Sequence, residues 1–359
     1  MKRLMDGTKL LWHMDRVKEH YDEGKRISPL LINIGATKKC NANCIYCYGV
    51  FQGKDQKSTI DREPLLHLFY SAPKLGVKAI EIIGDGEPTL NPHIYDAMDI
   101  GKKEGLDMAF STNGILLDTD EKRENVLRNC SWMRFNLSAG TREGYKKIHR
   151  VDKFEKVVEN IKRMVELKKY PYGYPCDVGL QAVYVPGLMD QDIIDESILA
   201  RDLGVDYLLI KQCSLPEKGV VADISFDVND YDKPEIKSIL KRCESLSNDK
   251  TDIVVKWEFM QIGKRRPYDH CVDAPLIFQV SGNGKCYPCG YLFGNEEYEY
   301  GDLNTQSLQG ILESEKYWGI IDKMKKFDVH NDCEGCCRHD KINEFLSEYL
   351  DKPNGVNFI

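Results

Sequence analysis

Residues 40–47 read Cys-Asn-Ala-Asn-Cys-Ile-Tyr-Cys and follow directly on a short apolar run, residues 31–36. A run of that length bounded by polar residues reads as a buried strand, so three thiols sit at the carboxyl end of a strand. Cys40, Cys44 and Cys47 in so short a span can curl around one face of a 4Fe–4S cube and leave one iron open. The bland alternative is a zinc knuckle. Zinc normally takes four ligands in paired C-x2-C units, and this segment lacks the fourth.

The pattern of strand and polar loop recurs along the chain. Residues 79–83 end at Gly84-Asp85-Gly86-Glu87-Pro88, residues 107–110 at Ser111-Thr112-Asn113-Gly114, and residues 132–137 at Ser138-Ala139-Gly140. Residues 178–185 stop at Pro186-Gly187, and residues 207–210 lead into Lys211-Gln212-Cys213-Ser214. Helical patterns over 63–72, 94–104, 153–168 and 192–203 lie between them. Strands alternating with helices imply parallel βαβ units. The expected fold is α/β: a partial (β/α)6 TIM-like barrel, open on one side, spanning residues 29–216. Its polar turns cluster after the strands, on the face where barrel active sites sit. Residues 1–28 would cap the barrel with a short helix over 9–17. A bridging segment, 217–262, holds a helix-like stretch at 234–246 and a strand-like one at 253–259. From Cys271 the chain is dense in cysteine, glycine and tyrosine, so a small C-terminal α+β domain is placed over 263–345, with a tail over 346–359.

Composition narrows the class. Hydrophobic residues make up 42% of the 359 positions, enough for a sizeable core. Lys+Arg number 50 and Asp+Glu 57, a net charge of −7 that argues against a nucleic-acid binder. No apolar run approaches the roughly 18 residues of a membrane span, and the start lacks a secretory signal. The expected location is the cytoplasm. There, 13 cysteines are far more than a disulfide framework would explain, and their clustering reads as metal ligation.

Taken in order, these motifs resemble the radical SAM enzymes, over roughly residues 29–215. Cys40, Cys44 and Cys47, with Tyr46 before the third, resemble the family's cluster signature, and S-adenosylmethionine (SAM) carries the adjacent amine and carboxylate that an open iron chelates. Gly84-Asp85-Gly86-Glu87-Pro88 resembles the GGEP motif, with Asp85 where a glycine is usual. Ser111 and Asn113 match a segment near SAM and substrate. Ser138 matches a position that often bonds the ribose or carboxylate, although Ala139-Gly140 stands where Asp-Gly is common. The resemblance implies reductive cleavage of SAM to a 5′-deoxyadenosyl radical that abstracts hydrogen, with a flavodoxin or ferredoxin type electron donor.

The C-terminal cysteines are Cys271, Cys286, Cys289, Cys333, Cys336 and Cys337. On spacing alone, Cys286-x2-Cys289 and Cys333-x2-Cys336 could form a zinc ribbon, which would make the protein a binding module. The segment is also similar to the SPASM/twitch extension of radical SAM enzymes. That resemblance implies a second 4Fe–4S cluster on Cys271, Cys289, Cys333 and Cys336, with Cys286 or Cys337 able to replace a neighbour. A fully ligated auxiliary cluster suits electron transfer.

Three residues are candidates for the chemistry itself: Cys213 as the hydrogen donor of an epimerase, and Lys211 or Glu258 as the base of an oxidation. Arg134 is a further polar group within reach of the cavity. His339 and His270 flank the C-terminal cysteines and could act on their ligands. Only 39 residues precede Cys40, less than the roughly 90 residues of a leader-peptide recognition domain. The expected substrate is therefore small, polar and sugar-like. The leading expectation is a dehydrogenase of a carbohydrate-like secondary alcohol. An epimerase and a peptide-modifying enzyme are the alternatives.

Overall fold

The computed structural model describes residues 8–47, 57–213, 227–258, 260, 266–333, 337, 339–352 and 354–357. Its strands are Leu31–Ile34 (β1), Ala79–Ile82 (β2), Asp107–Thr112 (β3), Trp132–Asn136 (β4), Asp177–Tyr184 (β5) and Tyr207–Gln212 (β6). Asp252–Val255 (β7), Ile277–Val280 (β8), Lys285–Tyr287 (β9) and Gly301–Asp302 (β10) follow. All ten join one sheet in the order β10-β9-β8-β1-β2-β3-β4-β5-β6-β7. Neighbours from β8 through β1 to β7 are parallel, and β9 and β10 add an antiparallel edge to β8. Helices follow most strands and cover the outer face. The residues of β5 and β6 are nearly all buried, and both strands read as near-continuous apolar runs.

The six expected strands are all present. The parallel part of the sheet nevertheless has eight strands. β7 pairs with β6 through Ile210↔Val255, although it lies in the expected bridging segment. β8 pairs with β1 through Asn33↔Gln279, although it lies in the expected small domain. Both are four-residue strands, too short to show a period. β8 also finds its partner far back along the chain, so no local pattern marks it. The described pairings leave the sheet open between β7 and β8.

The N-terminal piece is a 3-10 turn, Thr8–His13, running into the helix Met14–Tyr21. Tyr21 donates its hydroxyl to the Val272 carbonyl at 2.5 Å. From the other end, Asn343 of the helix Asp340–Asp351 accepts the Val272 and Asp273 N–H groups at 2.7 and 3.0 Å. Both chain ends therefore clamp the segment that carries Cys271. No described helix is long and apolar enough to cross a membrane.

Candidate active site

A cavity of about 850 Å³ opens at the carboxyl ends of the strands. Cys40, Cys44 and Cys47 line it, and so do Cys271, Cys289, Cys333 and Cys337. Between the two sets lie polar residues from the strands: Asn33, Glu81, Ser111, Arg134, Asn136, Gln181 and Lys211, with Lys256 just past β7. A closed barrel of this kind usually fills its interior with Val, Ile and Leu. Here the strands send polar side chains into a hollow lumen, which suits a bound molecule.

The cysteine loop is held by the loop and helix that follow β4. Asn43 and Ile45 donate their N–H groups to the carbonyls of His149 and Ile148 at 3.0 and 2.9 Å. His149 Nε2–H donates to the Leu137 carbonyl at 2.6 Å, leaving Nδ1 to face Cys44 Sγ at 3.0 Å. Burial brings the His149 pKa down to about 4, so the ring is neutral near pH 7. Burial first, and the neighbouring Cys47 and Cys40 second, push the Cys44 thiol up, and a metal binding there must displace its proton. Tyr46 places its hydroxyl 2.8 Å from Ser138 Oγ. Ser138 is fully buried, sits in the left-handed region at φ 54°, and also accepts the Val183 N–H at 3.1 Å. It does not line the cavity. Expected to touch SAM, Ser138 instead braces Tyr46 and the cysteine loop. Gly140 lies behind it, pressed so closely on the helix Asp190–Leu203 that a Cβ would run into the Asp195 backbone.

The loop after β2 forms the adjoining wall. Gly84, Asp85, Gly86 and Glu87 line the cavity, while Pro88 is buried. Gly86 is needed for space, because a Cβ would meet the carbonyl oxygens of Thr37 and Lys39. That close approach leaves backbone polar groups facing the cavity, a cradle that fits a small polar ligand such as the methionyl end of SAM. The buried Glu87 carboxylate accepts from Asn113 N–H at 2.7 Å, from the Thr112 hydroxyl at 2.7 Å and from Thr89 N–H at 3.1 Å. It thereby ties the loop after β2 to the loop after β3. Asn113 in turn donates to Asn41 at 2.6 Å, beside Cys40. Ser111 accepts from Arg134 Nε at 2.9 Å, and Arg134 pairs with Glu81 at 3.2 Å.

Asp85 is committed elsewhere. Its carboxylate accepts from the Ser281 hydroxyl at 2.7 Å and from Gly282 N–H at 2.9 Å. The substitution for glycine thus ties the loop after β2 to the β8–β9 turn.

At the far wall, Cys271 Sγ lies 3.2 Å from Asp273, and His339 Nδ1 pairs with Asp273 at 2.8 Å. Burial alone would push the Asp273 carboxyl up, but His339 holds it below its ordinary value. Cys271, Cys289, Cys333 and Cys337 are near enough for their charges to act on one another, and burial first raises the Cys337 thiol. Four soft thiols gathered at one wall fit an iron–sulfur cluster. The expected ligand Cys336 lies outside the described residues.

Other expectations need correction. Cys286 is buried in β9 with its thiol against the Gly284 carbonyl, away from the cavity, so the first pair of a zinc ribbon does not form there. Cys213 is buried and does not line the cavity, and its N–H donates to the Tyr231 hydroxyl at 2.9 Å. Glu258 is exposed on the turn after β7 and does not line the cavity. His270 is likewise exposed, whereas His339 reaches the cavity wall. Reading the sequence missed Asn33, Gln181, Lys256 and His149. The first two carried a signal, a polar residue in the middle of an apolar strand.

A hollow half-barrel with three thiols at its mouth and four more at its far wall defines an enzyme built around iron–sulfur centres. Residues 34–196 match the model of the Radical SAM superfamily, and residues 271–337 match that of an iron–sulfur cluster-binding domain. Together they span more than half of the chain, which belongs to the radical SAM superfamily and carries a C-terminal auxiliary iron–sulfur domain. Its cofactors are 4Fe–4S clusters and SAM, and the zinc-ribbon alternative is set aside. GTP 3',8-cyclase of Clostridium acetobutylicum is 27% identical over 329 residues, 89% of this chain and 96% of that protein. The tungsten-containing aldehyde ferredoxin oxidoreductase cofactor-modifying protein of Pyrococcus furiosus is 23% identical, over 85% of this chain and 86% of that protein. Among solved structures, Streptococcus suis SuiB bound to S-adenosylmethionine shares the fold at a TM-score of 0.67 and 15% identity, covering 96% of this chain and 79% of that one.

Proposed function

We propose that this radical SAM enzyme oxidises a small polar substrate held in the barrel lumen, a carbohydrate-like secondary alcohol fitting best. The observation that carries the reading is one cavity lined by both sets of cysteines, with polar side chains from the strands between them. In this reading Cys40, Cys44 and Cys47 hold the SAM-binding cluster, and Cys271, Cys289, Cys333 and Cys337 hold the auxiliary one. Bound there, cluster and SAM supply a 5′-deoxyadenosyl radical able to take hydrogen from an unactivated C–H bond. The chain's own residues place and enclose it. Gly84, Gly86, Glu87, Ser111 and Asn113 shape the SAM wall, while Tyr46 and Ser138 fix the cysteine loop. Four thiolates leave no iron open at the far wall, so that centre suits removal of an electron. Oxidation of the alcohol removes two hydrogens overall, and the centre that Cys271, Cys289, Cys333 and Cys337 would hold could supply the acceptor for the second electron.

The names of the two relatives point to a nucleotide and to a cofactor, which supports a small molecule over a peptide. The likeness to GTP 3',8-cyclase favours a second reading, radical ring closure within a nucleotide. Product mass separates the two. Protein reconstituted without oxygen and reduced by a flavodoxin or ferredoxin type donor is incubated with SAM and a panel of aminocyclitols, sugar phosphates and nucleotides. Oxidation gives 5′-deoxyadenosine and a product two hydrogens lighter. A product of unchanged mass sinks the oxidation and supports the ring closure.

A further inference from the structure

Two segments far apart in the chain meet at the far wall. His270 and Asp328 form an antiparallel bridge, and Val329 N–H donates to the Asp269 carbonyl at 3.0 Å. This pairing brings Arg266, which precedes Cys271, alongside residues 328–333. Arg266 Nη1 donates to the Val329 carbonyl at 2.8 Å, which anchors the guanidinium. The side chain is only 8% exposed and lines the same cavity as Cys333 and Cys337. Burial works against its charge, yet Cys333 foremost, by its charge and by accepting a hydrogen bond, holds the guanidinium above its ordinary value. The Asp340 carboxylate stands 3.9 Å from Arg266 Nε, too far for a hydrogen bond. The same carboxylate oxygen accepts the Tyr268 hydroxyl at 2.6 Å. Asp273, on the same wall, is paired with His339 at 2.8 Å. A guanidinium keeps its charge at any working pH. Arg266 is therefore a fixed positive charge and a donor set against one of the four thiols gathered there.

An electron added to an iron–sulfur cluster makes its sulfurs more negative. A positive charge and a hydrogen bond at a ligand sulfur favour that reduced form and raise the reduction potential. We propose that Arg266 sets the reduction potential of the auxiliary cluster from outside the ligand set, holding it high through Cys333, and that Asp340 moderates the effect. The inference rests on the reading that Cys271, Cys289, Cys333 and Cys337 hold a cluster, and it deepens that reading: the far wall is built to take up an electron, beyond bracing the C-terminal domain. Arg266 acts through a ligand and is a positioning residue, not a catalytic one.

The test is a potentiometric titration of the reconstituted holoenzyme, followed by electron paramagnetic resonance. Adding SAM marks the signal of the open-site cluster, and the signal that SAM leaves unchanged belongs to the auxiliary one. The parent, Arg266→Met, Arg266→Lys, Asp340→Asn and the surface control Lys74→Gln are compared, with iron content recorded for each. Arg266→Met is expected to make reduction of the auxiliary cluster about ten-fold less favourable, as loss of one charge-assisted hydrogen bond implies. That is a fall of about 59 mV for one electron. Arg266→Lys keeps the charge and should recover part of the fall. Asp340→Asn removes a negative charge beside the guanidinium and should shift the potential the other way, a reversal of sign that a merely structural role would not produce. Lys74→Gln should titrate with the parent. The inference is overturned if Arg266→Met carries full iron and titrates with the parent. If Arg266→Met assembles only one cluster, Asp340→Asn decides: a raised potential supports the inference, and an unchanged or lowered one overturns it. Failure of the underlying reading shows separately, as about four irons in the parent where two clusters need about eight.

Discussion

Replacing Asp85 by alanine removes a side chain that joins the SAM-side loop to the turn leading toward Cys289. The carboxylate accepts two hydrogen bonds, 2.7 Å from the Ser281 hydroxyl and 2.9 Å from Gly282 N–H. Bonds to a charged group contribute about 1.5–3 kcal/mol each. Against that stands the cost of burying the carboxylate, which raises its pKa despite both bonds. A net loss of about 2 kcal/mol follows. With an unfolding entropy of about 2.1 cal/mol/K per residue, the melting temperature should fall by about 3 °C. Asp85→Asn should do far less harm. Its amide oxygen still accepts from Gly282, and its NH2 can donate to the Ser281 hydroxyl, which accepts as readily as it donates. The assay is anaerobic melting of the reconstituted protein, run as a double-mutant cycle with Ser281→Ala. The cycle should show a coupling of about 1 kcal/mol, and SAM affinity should fall with Asp85→Ala. If Asp85→Ala melts with the parent and the cycle is additive, the tie between the two walls contributes nothing and the reasoning fails.

Three further outcomes follow from the same geometry. Cys337→Ala should lower iron by about four atoms per chain by loss of one cluster, whereas Cys286→Ala should leave iron unchanged; equal iron in both variants removes Cys337 from the auxiliary site. Glu87 accepts a backbone N–H on each oxygen, from Thr89 and from Asn113. In Glu87→Gln, either orientation of the amide sets an N–H against an N–H, so SAM binding by equilibrium dialysis should weaken by about ten-fold. Glu196 is fully buried, accepts the Ser138 N–H at 3.1 Å, and burial raises its pKa well above the ordinary value. The unfolded chain releases this proton first, so stability should fall as pH rises above the ordinary glutamate range and through the folded-state pKa. Glu196→Gln should flatten that slope in melting curves taken from about pH 5, just above the ordinary glutamate value, to about pH 8. An unaltered slope would show that Glu196 is ionised in the fold.

Much of the site was legible because its chemistry is local. The spacing of Cys40, Cys44 and Cys47 places three soft ligands on one turn of chain whatever surrounds them, and the glycine-bearing loop at 84–88 follows an apolar run that must be buried. Such features depend on neighbours in sequence, so the sequence carries them. The six strands were likewise visible as apolar runs bounded by polar turns, and their alternation with helices implies parallel pairing. The direction of a side chain depends on partners that lie elsewhere. Cys213 and Lys211 are two residues apart, yet the lysine lines the cavity and the cysteine is buried with its N–H on the Tyr231 hydroxyl.

The sequence by itself determined the half-barrel, the open-site cysteine triplet and the presence of a second cysteine-rich unit, because period and spacing are properties of a short stretch. Tertiary structure decided the rest. Pairing of β8 with β1 closes the auxiliary segment against the barrel, so the two sets of thiols face one cavity. That pairing also brings Ser281 and Gly282 to Asp85, and it separates Cys337 from Cys286, two cysteines that spacing alone could not rank. The physical reason is common to all of these. A ligand set, a hydrogen bond and a lumen are built from groups far apart in the chain, and only the register of the sheet fixes which of them meet.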